Sequence, residues 1–181
     1  MKKLIILGSA VMVVSTAHAQ LLGASVNGQL NFNGDLTTNF FDKANGLVPA
    51  GYLNSGPSGT PTVVIANPAK EFGFNDGANL DEADFTANTL TIHDLPSAGG
   101  SSQTKYTFTC NAFAGMTMTQ TSNNFVGLTK SLVGNVVTID IPLFADNNSH
   151  TAVFTFVPEP ASFAGIGIGL AMLIRRRKKS N

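Results

Sequence analysis

The densest set of oxygen donors in the chain lies in one short stretch. Asp76, Asn79, Asp81 and Asp84 fall within nine residues, next to the turn signal Asn75-Asp76-Gly77. Carboxylate and amide oxygens at this density suit Ca2+, a hard cation that takes six to eight oxygen ligands. The spacing departs from the EF-hand loop, and Asp and Asn also shape turns and cap short helices. Glu71 and Glu82 are the acids from which a two-carboxylate glycosidase would be built, but nothing in the sequence sets them opposite each other. Cys110 is the single cysteine, which excludes an internal disulfide. It alternates with Tyr106 and Phe108 and reads as a buried structural thiol. A nucleophilic thiol needs a paired imidazole, and neither His93 nor His150 lies in a recognisable pairing motif. No residue is assigned to catalysis, and the expectation is a protein that is not an enzyme.

These residues must be positioned by strands. Residues 20–157 contain 17 Thr, 16 Asn and 14 Gly, a mix that opposes helix and favours strands with tight turns. Twelve of the 13 Phe also lie there, enough for a packed core and against disorder. Period-two alternation places Val26, Leu30 and Phe32 on one face of a first strand. It recurs at Thr62–Ala66, Glu71–Phe74, Thr89–His93, Lys105–Cys110 and Met116–Thr119. Leu128–Val133 and Val136–Ile141 flank Gly134-Asn135, a favoured two-residue hairpin turn, and Ala152, Phe154 and Phe156 form a last strand. Asn79 to Phe85 reads as a single helical turn. Eight or nine short strands predict an all-β fold, an antiparallel β-sandwich of jelly-roll-like type, over residues 20–156.

Charge is distributed unevenly although the chain of 181 residues is formally neutral. Between residues 20 and 157 there are four Lys and no Arg against eight Asp and two Glu. An acidic body excludes ordinary nucleic-acid binding, which needs a basic face for the phosphates. The basic residues gather at the ends. Lys2 and Lys3 precede the apolar run Leu4–Val14, and Ala17-His18-Ala19 is a small-x-small cleavage site. Residues 1–19 therefore read as a secretory signal peptide, handled by the Sec translocon and signal peptidase, with a mature chain beginning at Gln20. The 11 apolar residues would rise only about 17 Å as a helix, short of the roughly 30 Å hydrocarbon core.

At the other end, Val157-Pro158-Glu159-Pro160 is followed by an apolar run, Ala161–Ile174, and by Arg175, Arg176, Arg177, Lys178 and Lys179. The run spans about 21 Å as a helix, so its flanks or a thinned bilayer must supply the rest of a crossing. The basic cluster places that end in the cytoplasm and the body outside.

This order of features over residues 157–181 resembles the PEP-CTERM sorting signal of Gram-negative bacteria. The body is similar to the small β-rich domains often found before such tails. Phe40-Phe41-Asp42, Asn45–Tyr52, Phe72–Gly77, Ala83-Asp84-Phe85 and Leu90-Thr91-Ile92 carry that likeness. The resemblance implies recognition by an exosortase, a membrane-embedded cysteine protease or transpeptidase, with cleavage near Pro158-Glu159-Pro160. It also implies a cell that makes extracellular polysaccharide. The expected protein is thus exported, held transiently in the inner membrane, then surface-bound or extracellular, with a structural or interaction role. Polysaccharide binding is the main alternative, although sugar platforms usually use Trp or Tyr faces, and the chain has no Trp and two Tyr. A secreted hydrolase without a recognisable motif is a further one.

Overall fold

The structure is a computed structural model that describes residues 20–56, 61–96, 102–143 and 148–159. The expected signal peptide with Ala17 and Ala19, Pro160, the apolar run 161–174 and the basic residues 175–179 lie outside the described residues. Among the described residues no helix is long and apolar enough to cross a membrane.

The described chain is all-β, with ten strands: β1 (Ser25–Phe32), β2 (Thr62–Val64), β3 (Phe72–Asn75), β4 (Asn79–Phe85), β5 (Thr89–Pro96), β6 (Thr104–Thr109), β7 (Met116–Asn123), β8 (Thr129–Val133), β9 (Val136–Ile141) and β10 (His150–Pro158). They form two five-stranded sheets, ordered β2-β1-β6-β9-β8 and β3-β4-β5-β10-β7. Every pairing within the sheets is antiparallel. Apolar residues alternate along the strands because one face of each sheet turns inward. Val26 and Leu30 of β1, Tyr106 and Phe108 of β6, and Val137, Ile139 and Ile141 of β9 are buried from one sheet. Phe72, Ala83, Phe85, Leu90, Ile92, Ala152, Phe154 and Phe156 are buried from the other.

Aromatic rings interlock the two layers. Phe108 lies with its ring centre 5.6 Å from that of Phe72 and 5.2 Å, edge-on, from that of Phe85. Phe113 stacks on Phe156 at 5.0 Å. Cys110 is a free, buried thiol, as its alternation predicts, and burial pushes its pKa up.

Two expectations are corrected. Asn79–Phe85 is strand β4, not a helical turn, because both edges are paired, with β3 and with β5. Its inward set is Asp81, Ala83 and Phe85, so an acid at an apolar position hides the period of two. The last strand also runs past residue 156. Val157 and Pro158 pair with Thr117 and Met116 of β7, and the Glu159 N–H donates to the Gly115 carbonyl at 2.9 Å. Proline is tolerated at such a strand end, where a missing N–H costs little.

Candidate functional site

Two polar clusters lie on opposite faces of the β3–β10 sheet. Both depend on one register, in which Glu82 faces His93 and Asp81 faces Asp94 across β4 and β5.

The first cluster is inward. Asp81 of β4, Asp94 of β5 and His150 of β10 form a row of direct cross-strand partners. Asp94 is 1% exposed and Asp81 2%. From the opposing sheet, the Tyr106 hydroxyl donates to Asp81 Oδ1 at 2.5 Å. Both carboxylate oxygens of Asp94, and Oδ1 of Asn79, are buried without a hydrogen-bond partner. These groups open into a cleft of about 260 Å³, whose lining includes Asp76, Asn79, Asp81, Asp94, Ser102 and Thr104. Asp76 is committed to its turn. Its Oδ1 accepts from the N–H groups of Ala78 (2.8 Å) and Asn79 (2.6 Å), and its Oδ2 from the Asn79 amide (3.0 Å).

Electrostatics there favour neutral acids in the absence of a counter-charge. Burial raises the Asp81 pKa, and Asp94 beside it raises it further. Burial lifts Asp94 to about 6, against the opposing influence of His150 and His93. Burial, then Asp81, raises Tyr106.

Of the four expected calcium ligands, three line this cleft. Asp84 lies on the other face of β4 and does not. Asp94 takes a place beside Asp81 that was not foreseen, although its parity with Leu90 and Ile92 marks it as an inward acid. Among the described residues no three His, Cys, Asp or Glu side chains converge as a metal cage, so any cation here would need the Asn79 amide as well as carboxylates.

The second cluster is on the outer face. Glu82 accepts from Lys70 Nζ at 2.6 Å and from the Tyr52 hydroxyl, and it pairs with His93 Nδ1 at 2.8 Å. The other imidazole nitrogen, Nε2, is 2.7 Å from Ser149 Oγ. Burial works to raise the Glu82 pKa, but the hydrogen bonds from Lys70, Tyr52 and His93 outweigh it and hold the carboxylate below its ordinary range. Burial and Glu82 together raise Tyr52. Tyr52 is placed by the segment that covers the β3 edge. Leu53 and Asn54 donate their N–H groups to Lys70 and Glu71, and the Asn54 side chain bonds both the N–H and C=O of Gly73. A Cβ on Gly73 would lie 2.7 Å from the Tyr52 ring, so glycine is what lets the ring reach Glu82.

Serine, imidazole and carboxylate in this order are the parts of a nucleophilic relay, with the acid orienting the imidazole that would take the serine proton. No local pattern signals it, since residues 82, 93 and 149 meet only through the register of β4, β5 and β10. Glu71, by contrast, is structural. Its Oε1 accepts from Ala66 N–H at 3.0 Å and its Oε2 from Phe85 N–H at 2.7 Å. Both Glu71 and Glu82 are occupied by protein partners, which disfavours them as a glycosidase pair.

The chain matches no family model, no curated protein and no solved structure.

Proposed function

We propose that this is an exported cell-surface or extracellular-matrix protein of a Gram-negative bacterium. It is carried by the Sec translocon, trimmed after Ala19, anchored transiently in the inner membrane and sorted by an exosortase at Val157-Pro158-Glu159-Pro160. Its body, a sandwich with jelly-roll-like crossings between the sheets, has a structural or interaction role and not an enzymatic one.

The observation that carries this reading is that the sandwich is hydrogen-bonded right up to the Val157-Pro158-Glu159 motif. Among the described residues, β10 ends at Pro158, and the Glu159 amide adds a ladder-like bond to Gly115. The apolar run and basic cluster follow directly in sequence. A cut at or beyond Glu159 would therefore free the body without breaking the sandwich.

Mass spectrometry of the mature C-terminus, combined with membrane fractionation, tests the reading. Wild-type protein should end near residues 158–160, and Glu159→Ala should accumulate uncut in the inner membrane. Intact Arg175–Lys179 on most of the wild-type protein, in a strain with an active exosortase, would reduce the tail to a plain anchor. Polysaccharide binding remains the alternative interaction role, and glycan-array binding tests it.

The Ser149–His93–Glu82 relay favours a second reading, a secreted hydrolase with Ser149 as nucleophile. A fluorophosphonate probe should then label the wild-type chain and fail on Ser149→Ala and His93→Ala. An unlabelled wild-type chain removes this reading.

A further inference from the structure

The inward cleft holds buried oxygens, both of Asp94 and Oδ1 of Asn79, that no protein hydrogen bond satisfies. Asp81 and Asp94 are direct cross-strand partners, an arrangement that sets Cβ atoms about 4.5–5.5 Å apart. Asn79 lies two residues along β4 on the same face. Burying a carboxylate without a partner is among the costliest things a fold can do. Lys70 and His93 pair with Glu82, and Lys105 with Asp140, while His150 and His93 act on Asp94 through their charge and make no hydrogen bond to its oxygens.

Protonation of Asp94 does not resolve this. A carboxylic O–H is itself a donor that needs an acceptor, and neither Asp94 oxygen has any partner within hydrogen-bond distance. The bare oxygens are moreover aimed. The Asn79 amide nitrogen is held by Asp76 Oδ2 at 3.0 Å, which turns its partnerless Oδ1 away from the turn. Tyr106 occupies Asp81 Oδ1 and leaves the second oxygen of that carboxylate for another partner. Outer partners that fix ligand orientation in this way are the usual support of a metal site.

We propose that this cleft binds one calcium ion, with Asp81, Asp94 and the Asn79 side-chain oxygen as protein ligands and water completing the shell. The donors are all oxygen, which selects a hard cation. The mixed, irregular set suits Ca2+ better than Mg2+, which demands near-ideal octahedral geometry. The cleft, about 260 Å³, has room for the ion and several waters. Two carboxylates make this a modest site, in the range of about 10⁻⁴–10⁻³ M typical of extracellular modules. The inference stands apart from the sorting and hydrolase readings.

Terbium is the probe, since it replaces Ca2+ and can be excited through a nearby tyrosine, here Tyr106. Full-length chain should give sensitised Tb3+ emission that Ca2+ competes away. At a hundredfold excess over the dissociation constant, Ca2+ should raise Tm by about 5–10 °C. Asp94→Asn should lose both the emission and the calcium shift. The same variant should melt no lower than wild type in chelator, because it removes a buried like-charge contact. That result separates lost binding from lost folding. Asp84→Asn, on the opposite face of β4, should keep emission and shift. Wild type with no emission and no calcium shift would overturn the site, as would Asp94→Asn responding to calcium like wild type.

Discussion

Glu71 sets two physical effects against each other, and its titration reports which one wins. The side chain is fully buried, and each carboxylate oxygen accepts one backbone N–H. Burial favours the neutral acid and the two amides favour the anion. Burial prevails and lifts the pKa from 4.5 to about 7. The native state then holds a proton that the unfolded chain has already released. Stability must therefore fall as pH rises from about 4.5 to about 7 and level off above that. The rise from 4.5 to about 7 corresponds to about 3 kcal/mol as an upper bound, or a Tm difference of about 6–12 °C in a chain of this size. Glu71→Gln is neutral at every pH and should remove this part of the slope, whatever it costs in amide bonding. The assay is thermal unfolding of the full-length chain in chelator between pH 5 and 8. Wild type should lose Tm across that window, and the Glu71→Gln curve should be flatter. Asp94, lifted to about 6, and Asp81, also raised, add slope in the same direction to both curves and cancel in the comparison, whereas Asp84, whose charge raises Glu71 further, belongs to the difference. Parallel curves would refute the reasoning and mean that the two amide hydrogen bonds keep Glu71 ionised in the fold.

Phe108→Ala should be strongly destabilising, by about 3–5 kcal/mol, because its fully buried ring meets Phe41, Phe72, Phe85 and Tyr106; denaturant unfolding of the full-length chain measures it. Gly73→Ala should push Tyr52 off the sheet and take its hydrogen bond from Glu82. A fall in the Tyr52 pKa toward that of free tyrosine, read by ultraviolet titration, would register the change. Cys110 should react with a thiol reagent only under unfolding conditions, since the thiol is buried with a raised pKa, and rapid labelling of native protein would contradict that placement.

The strands were legible wherever burial imposed a clean period of two. Tyr106, Phe108 and Cys110 point inward as their spacing demands, and Gly134 takes the positive φ of +61° that its hairpin turn needs. β4 was illegible because its inward face opens with Asn79 and Asp81, and polar residues at core positions break the apolar pattern from which strands are read. The same rule carried one step beyond His93 along β5 would have marked Asp94, which the reading of that strand stopped short of: Leu90 and Ile92 face inward, so Asp94 must follow them. An acid that a strand's own parity drives into the core is costly, and a sequence that places two of them directly opposite each other implies a counter-charge. The outer relay offered no such handle. Glu82 and His93 become neighbours once the turn at residues 86–88 fixes the β4–β5 register, but Ser149 reaches His93 only because β10 lies beside β5. That adjacency is long-range sheet order, which local pattern does not encode. Inward acids can therefore be read from strand parity alone, whereas surface constellations of this kind require the sheet to be assembled first.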